Sequence, residues 1–256
     1  MKHHPAGIQR SLCQPLSALA TVFLLVSTGL PVAAQGTPTE PEGRSLRIGI
    51  IGSGTMGGPI GQLWADAGHQ VLYSSRNPDQ LMDLVRDAAP RASAGYPDAA
   101  AHFGEVILLA VPPSAVPQIG EDYGHLMEGK VVIDLTNPRE DRDGLISNEW
   151  LEMGTGLAMA QYLSGARVVK AFNTLGSGML GEAHRPGEWI GVPVAGDDAE
   201  AVEVAALLVR DAGFEPVVVG PLARASEFDR GTPVWVSGMT AAEVRAALGL
   251  PPDADR

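Results

Sequence analysis

A glycine-rich turn between an apolar strand and a helix is the feature that most constrains this chain. The stretch from Ile48 to Gly58 reads IGIIGSGTMGG and contains the spacing G-x-G-x-x-G. In a strand-turn-helix unit the first glycine allows a sharp turn, the second lets a pyrophosphate approach the backbone, and the third lets the helix pack closely on the strand. The stretch therefore predicts a dinucleotide-binding turn, whose contact residues would be Gly52, Ser53, Gly54, Thr55, Met56 and Gly57.

The spacing G-x-G-x-x-G alone is weak evidence, because a chain with 31 glycines in 256 residues can match it by chance. The residues on both sides of the turn make the motif more specific. Upstream, the mostly apolar run from Leu46 to Ile51 is typical of a buried parallel strand. Downstream, apolar side chains recur at helical spacing until Gly68, a residue that commonly ends a helix. The spaced apolar positions are Ile60, Leu63, Trp64 and Ala67.

The end of the second predicted strand indicates which dinucleotide is bound. The strand from Gln70 to Ser74 is followed by Ser75 and Arg76. Folds that prefer NAD place an acid about 20 residues beyond the glycines to bind the ribose 2′-hydroxyl. Here a serine and an arginine occupy that place, and a guanidinium can pair with a 2′-phosphate. The sequence therefore predicts NADP(H) rather than NAD(H); a solvated turn without a ligand is the alternative.

Three later apolar strands end in residues suited to the rest of a cofactor site. Val111 and Pro112 end one strand, Asn137 follows the next, and Asn173 follows the third. The carboxyl ends of parallel strands meet at one edge, where a doubly wound sheet opens its ligand crevice. We therefore expect these residues to line the nicotinamide side of the site, although a plain rigid turn is an alternative for Pro112.

The alternation of predicted strands and helices indicates an α/β fold. We expect a Rossmann-type doubly wound parallel sheet with an NADP-binding domain at residues 46–172, and a small C-terminal α/β lobe and tail at residues 173–256. One helix is expected over Trp150 to Leu163, and the charged stretch from Arg139 to Asn148 is expected to be loop-like. In the lobe, Asp197 or Asp198 is expected to cap a helix that Gly213 ends.

The first 34 residues have the pattern of a signal peptide. A basic start precedes the apolar run from Leu16 to Leu30, and Val32-Ala33-Ala34 resembles a cleavage site. The sequence thus predicts an exported protein, periplasmic or extracellular, with a linker at residues 35–45. An uncleaved membrane anchor and a misassigned start codon are the alternatives.

Composition excludes several classes of partner and chemistry. The net charge is −12 and becomes −14 without Lys2 and Arg10, which disfavours nucleic acid as a partner. The only cysteine, Cys13, lies in the leader, and no histidines share metal-ligand spacing, so no metal site is expected. Lys170 lies in an apolar strand and is expected to be a structural lysine reaching outward. No catalytic residue is nominated.

Seven motifs in order give the chain a resemblance to a known family. They read IGIIGSGTMGG, VLYSSRNP, VILLAVPP, VVIDLTNP, VVKAFNT, VPVAGDD and VVVGPL. The chain resembles the deazaflavin (coenzyme F 420)-dependent NADP reductases and, through them, the reductase domain of STEAP-type metalloreductases. The resemblance covers about residues 46–222. It implies NADP(H) as cofactor, a deazaflavin, flavin or metal chelate as acceptor, and a 2′-phosphate held by Ser53, Ser75 and Arg76.

These observations predict an oxidoreductase that transfers hydride between NADP(H) and a small-molecule electron acceptor. Catalysis of this kind is mostly positioning in a dry crevice. One alternative is a non-catalytic NADP-binding module that docks to a membrane partner. Another is a relative of β-hydroxyacid dehydrogenases or pyrroline-5-carboxylate reductase, which would need a long all-helical second domain. A homodimer is also compatible with the sequence.

Overall fold

An eight-stranded sheet runs through residues 44–252, the part of the chain that the computed structural model describes. The strand order is β3-β2-β1-β4-β5-β6-β7-β8, and neighbouring strands are parallel except for the antiparallel pair β6 and β7. This order confirms the predicted doubly wound α/β fold. The strands are β1 (Arg47–Ile51), β2 (Gln70–Ser74), β3 (Ala92–Gly95), β4 (Val106–Leu109), β5 (Val131–Asp134), β6 (Arg167–Lys170), β7 (Gly191–Gly196) and β8 (Glu215–Gly220).

Helices cover both faces of the sheet and bury the apolar strands. Helices α1 and α8 pack on one face, and α3, α4, α6 and α7 pack on the other. The described helices are α1 (Gly57–Asp66), α2 (Met82–Asp87), α3 (Pro97–Phe103), α4 (Val116–Met127), α5 (Glu140–Asp143), α6 (Ile146–Met153), α7 (Thr155–Tyr162), α8 (Ala199–Asp211) and α9 (Ala241–Ala247). Short 3-10 helices occupy Pro78–Leu81, Pro113–Ala115, Ser177–Glu182 and Leu222–Phe228.

The order of the strands fixes where a ligand can bind. Strand β1 lies between β2 and β4, so the connection that leaves β1 through α1 goes to one side, whereas β4 continues the sheet on the other side. A crevice opens at the carboxyl ends of the strands where the order reverses in this way. The glycine turn after β1 lies at this point.

The elements predicted for a second lobe continue the same sheet. Strand β7 pairs with β6, α8 packs on the face that also carries α1, and α9 packs on β7 and β8. Trp64 of α1 joins the two parts directly, because its Nε1 donates to Leu208 O at 2.7 Å and its ring meets Phe172 edge to face. Asp198 is the residue that caps α8, through a bond from Ala201 N.

Two local expectations differ from the structure, and one helix has no counterpart among the expectations. The helix expected over Trp150 to Leu163 is wrong, because the chain breaks at Gly154, whose φ is +90°, and forms α6 and α7. A positive φ costs glycine little, which explains the break. The stretch from Arg139 to Asn148 is not a loop throughout, since it contains α5 and the start of α6. Helix α4 was not anticipated.

The predicted signal peptide and most of the predicted linker lie outside the described residues. Within residues 44–252, no helix is long and apolar enough to cross a membrane.

Candidate functional site

The glycine turn has the geometry that its motif predicts. Gly52 adopts a φ of +101°, and a Cβ there would lie 2.4 Å from Ala110 O. A Cβ on Gly57 would lie 2.1 Å from Gly52 O, so the start of α1 can approach the turn only because this residue is glycine. A Cβ on Gly54, in contrast, would meet no atom within 4 Å. The middle glycine therefore faces open space, as a pyrophosphate site requires.

Ser53 fastens the turn to the end of β2. Its backbone N–H donates to Ser74 O at 3.3 Å, and its hydroxyl oxygen accepts from Ser74 N at 3.0 Å. These bonds hold the turn beside Ser75 and Arg76. The Ser75 hydroxyl oxygen accepts from Asn77 N at 2.9 Å, which leaves its O–H free to donate.

Arg76 is exposed directly after β2. Among residues 44–252 it takes part in no ion pair. Its guanidinium is therefore available to an anion beside the turn. Guanidinium groups form short, charge-assisted hydrogen bonds with phosphate oxygens.

A cavity of about 600 Å³ adjoins the turn at the carboxyl ends of β1, β4 and β5. Six of the predicted site residues line it, namely Gly54, Thr55, Met56, Val111, Pro112 and Asn137. Residues that the sequence did not indicate also line it: Arg139, Arg142, Arg230 and Trp235. A second cavity of about 510 Å³, between α9 and Trp189, shares no residue with the first.

Asn137, which lines this cavity, is hydrogen-bonded to Asn173. Asn137 Nδ2 donates to Asn173 O at 2.7 Å, and Asn173 Nδ2 donates to Phe228 O at 3.2 Å. The Oδ1 atoms of both residues are buried and have no hydrogen-bond partner in the described protein. Buried acceptors without donors cost free energy, so the pair is suited to a ligand that brings N–H groups. A carboxamide is such a ligand.

The carboxylate of Asp143 organises the loop that follows Asn137. Its Oδ2 accepts from Arg142 Nη2 at 2.7 Å and from Arg139 N at 2.8 Å, and its Oδ1 accepts from Ser114 Oγ at 3.1 Å. Burial raises the pKa of Asp143, but these hydrogen bonds outweigh burial and hold the pKa below its usual value. Arg142 also donates to Asn137 O at 2.7 Å, which ties the loop to the cavity.

Lys170 does not reach outward, and that expectation is wrong. Its side chain is fully buried, and its Nζ donates to Asp134 Oδ2 at 2.9 Å and to Thr136 O at 2.6 Å. The ammonium thereby fixes the end of β5 just before Asn137. A lysine inside an apolar strand needs such a partner, because an unpaired buried charge is very costly.

Asp229 is a further buried carboxylate, and it interacts electrostatically with Lys170 and Asp134. Its Oδ1 accepts from Thr155 Oγ1 at 2.5 Å. Burial raises the pKa of Asp229 above its usual value, and the attraction of Lys170 offsets only part of that effect. Among residues 44–252, no group of three or more histidine, cysteine or acidic side chains could hold a metal ion.

Of the cavity residues that the sequence did not indicate, some follow a predictable local pattern and others do not. Arg139 follows Asn137-Pro138, so the same strand-end argument could have included it. Arg230 and Trp235 lie more than 50 residues beyond Asn173, and no local pattern connects them with the glycine turn.

The family comparison bears on the nucleotide-binding part. Residues 47–138 match the family model described as "NADP oxidoreductase coenzyme F420-dependent". That range begins at β1 and ends just after Asn137, so it contains the glycine turn, Ser75 and Arg76.

Two curated proteins are similar over most of the chain. Metalloreductase STEAP3 of Rattus norvegicus is 28% identical over 216 residues, which cover 80% of this chain and 41% of STEAP3. The F420-dependent NADP reductase of Methanothermobacter marburgensis is 26% identical over 206 residues, covering 75% of this chain and 92% of that protein. The chain thus spans less than half the length of the first relative.

A solved structure shares the fold. The crystal structure described as "a putative f420 dependent nadp-reductase from arthrobacter sp. fb24" superposes with a TM-score of 0.64 at 23% identity, and the match covers 80% of this chain and 96% of that one. Both curated relatives are named as reductases, in agreement with the predicted class of NADP-dependent oxidoreductase. Over residues 47–138 the chain therefore carries the signature of the coenzyme F420-dependent NADP oxidoreductases, which confirms the resemblance stated from its motifs.

Proposed function

We propose that this protein binds NADPH in the cavity beside the glycine turn and catalyses hydride transfer to a small-molecule acceptor. The acceptor class is a deazaflavin, a flavin or a metal chelate. Two observations support the proposal. Gly54 and Asn137 line one cavity, Gly54 with open space beside it and Asn137 with an unpartnered Oδ1, and Asn137 is bonded to Asn173, whose Oδ1 is also unpartnered.

The residues present fit each end of the cofactor. Gly54 leaves space beside the N-terminus of α1, whose N–H groups favour a pyrophosphate. Arg76 and the free Ser75 O–H can donate to a 2′-phosphate. The Oδ1 atoms of Asn137 and Asn173 can accept from the amide N–H groups of a nicotinamide carboxamide. NADPH bound in this way would supply the hydride.

The protein contributes positioning rather than acid-base chemistry. The bonds from Lys170 to Thr136 O and from Arg142 to Asn137 O hold the Asn137 backbone on both sides. The apolar side chains of Met56 and Val111 line the same cavity. A fixed orientation and a dry site are the main requirements of direct hydride transfer.

The structure after Phe172 bears on one rival function. β-Hydroxyacid dehydrogenases and pyrroline-5-carboxylate reductases would need a long helical domain after Phe172. The described chain instead continues through β7, α8, β8 and α9. We therefore favour an NADPH-dependent reductase of the deazaflavin-dependent type over these two classes.

An anaerobic acceptor screen tests the proposal. Wild-type protein and the variant Gly54→Val are mixed with NADPH and with the deazaflavin coenzyme, flavins, ferric citrate or small keto acids, and absorbance at 340 nm is followed. We expect oxidation by wild type with at least one of the first three classes, and none by the variant.

The screen also separates the non-catalytic alternative. A module that only docks to a membrane partner would quench its fluorescence on binding NADPH, yet it would not oxidise NADPH with any acceptor. That result would contradict the proposed reaction and leave nucleotide binding in place.

A further inference from the structure

The residues from Phe228 to Val236, here called the tail segment, contribute Arg230 and Trp235 to the lining of the cavity. They start at the last residue of the 3-10 helix Leu222–Phe228 and are hydrogen-bonded at both ends to residues that follow β6. Asn173 Nδ2 donates to Phe228 O at 3.2 Å, and Val236 N donates to Thr174 O at 2.9 Å. The segment is therefore a fixed part of the site.

Asp229 adds a third attachment within the tail segment. Its carboxylate is 4% exposed and accepts from both the hydroxyl and the backbone N–H of Thr155, at 2.5 and 3.4 Å. Thr155 is the first residue of α7, so this bond joins the segment to a helix of the nucleotide-binding part. The residue after Asp229 is thereby held at the mouth of the cavity.

That next residue is Arg230. Its guanidinium carbon lies 5.2 Å from the centre of the Trp235 ring, and both side chains line the cavity together with Thr55 and Pro112. A guanidinium over an aromatic face is attracted to it and loses conformational freedom. Trp235 thus holds Arg230 in one place and leaves its N–H groups available.

Arg230 differs from the other two arginines of the cavity. Arg139 is paired with Asp141, and Arg142 is paired with Asp143. Within the described part of the chain, Arg230 forms no ion pair of 4 Å or less. Arg230 lies close enough to Asp141 to help Arg139 lower the pKa of that carboxyl, and as a cation without a direct ion pair it can attract an anion into the cavity.

We propose that Arg230 determines acceptor specificity by binding an anionic group, a phosphate or a carboxylate, of the molecule that receives the hydride. This inference rests on the proposed function. In the proposed binding mode, the phosphates of the nucleotide have other partners, at the start of α1 and at Ser75 and Arg76. Arg230 lines the cavity with Pro112 and Trp235 and belongs to none of these proposed phosphate contacts.

FMN and riboflavin provide a matched pair of probes. They share the ring system that accepts hydride and differ only in the phosphate of FMN. Protein saturated with NADP⁺ is titrated with each flavin, and flavin fluorescence is measured. We expect wild type to bind FMN more tightly than riboflavin. Because charged hydrogen bonds are strong, Arg230→Gln should weaken FMN by roughly 10- to 150-fold and leave riboflavin unchanged.

Two further variants separate recognition from structure. Arg230→Lys keeps the charge and should retain part of the preference for FMN. Arg86→Gln removes an exposed arginine outside the cavity, which is paired with Asp83. It controls for the change in net charge and should leave both flavin affinities unchanged.

Turnover gives an independent readout under anaerobic conditions. The reaction NADPH + FMN + H⁺ → NADP⁺ + FMNH₂ balances, with the proton taken from solvent. Arg230→Gln should raise KM for FMN and change neither KM for riboflavin nor the affinity for NADPH.

Three results would overturn the inference. The first is that wild type binds both flavins weakly or with equal affinity. The second is that Arg230→Gln weakens both flavins by the same factor. The third is that Arg230→Gln loses as much affinity for NADP⁺ as for FMN, which would make Arg230 a nucleotide contact. The protein could also bind FMN through Arg230 and yet never oxidise NADPH. That outcome would support the assignment of Arg230 to an anionic group and would contradict the proposed reaction.

Discussion

Lys170 Nζ lies 2.9 Å from Asp134 Oδ2, and neither side chain is exposed to solvent. The two residues are direct neighbours in the parallel pair of β5 and β6. They lie immediately before the strand ends that carry Asn137 and Asn173. A buried ion pair thus supports the floor of the proposed nicotinamide site.

Breaking this pair should destabilise the protein strongly. Asp134→Ala leaves the Lys170 ammonium buried without its carboxylate, a change that costs about 3–5 kcal/mol of the free energy of unfolding. The double variant Asp134→Leu/Lys170→Met removes both charges and should lose much less. Urea denaturation at pH 7 measures both. A double variant as unstable as the single one would contradict this account.

The buried carboxylate of Asp229 should make stability depend on pH. Burial raises its pKa in the folded state, so the folded protein binds this proton more tightly than the unfolded chain does. Its contribution to stability is full below the unfolded pKa of about 3.9 and is lost as the pH rises from there through the folded pKa.

The variant Asp229→Asn isolates this contribution. Relative to the variant, wild type should lose stability as the pH rises above about 4, because every other titrating group is common to both proteins. Denaturation curves between pH 4 and pH 7 give the difference. A difference that stays constant over that range would show that the pKa of Asp229 is not raised.

Much of the fold could be predicted where the sequence signals are local. The glycine turn, the residues after β2 and the cap of α8 each depend on a few adjacent residues, and Asp198 caps α8 as one of two candidates. The break at Gly154 could not be decided in the same way. The apolar spacing continues across it, and only its positive φ separates α6 from α7.

The rest of the cavity depends on contacts between distant residues. Thr155 and Asp229 are 74 positions apart, and Asn173 and Phe228 are 55 apart. Lys170 finds its partner 36 positions earlier, on a neighbouring strand. No sequence period links such positions, which is why the burial of Lys170 and the placement of the tail segment escaped prediction.

The two glycines of the turn should respond differently to substitution. A side chain on Gly54 enters open space, so Gly54→Val should keep its melting temperature and lose NADPH binding. A methyl group on Gly57 would meet Gly52 O at 2.1 Å, so Gly57→Ala should lower the unfolding free energy by about 1–3 kcal/mol. Thermal unfolding and NADPH titration of both variants separate the effects. Normal NADPH affinity in Gly54→Val would contradict a pyrophosphate site at the turn.

We further propose that residues 1–34 are a cleaved export signal. Mature protein should then begin at Gln35 and be found outside the cytosol, as N-terminal sequencing of material from fractionated cells would show. Replacing the small residue before the cut, as in Ala34→Phe, should leave the leader attached. Soluble wild-type protein that begins at Met1 or Lys2 would contradict export.

The choice of cofactor tests the central claim most directly. Arg76 is exposed beside the turn, and its bond to a 2′-phosphate would be worth roughly 1.5 to 3 kcal/mol, or about 10- to 150-fold in affinity. Wild type and Arg76→Ala are titrated with NADPH and NADH by fluorescence, with Arg86→Ala as the matched control. We predict that wild type prefers NADPH, that Arg76→Ala weakens NADPH by this factor and spares NADH, and that Arg86→Ala changes neither. Equal affinity of wild type for both cofactors, or an equal loss for both in Arg76→Ala, would contradict the assignment of an NADP site.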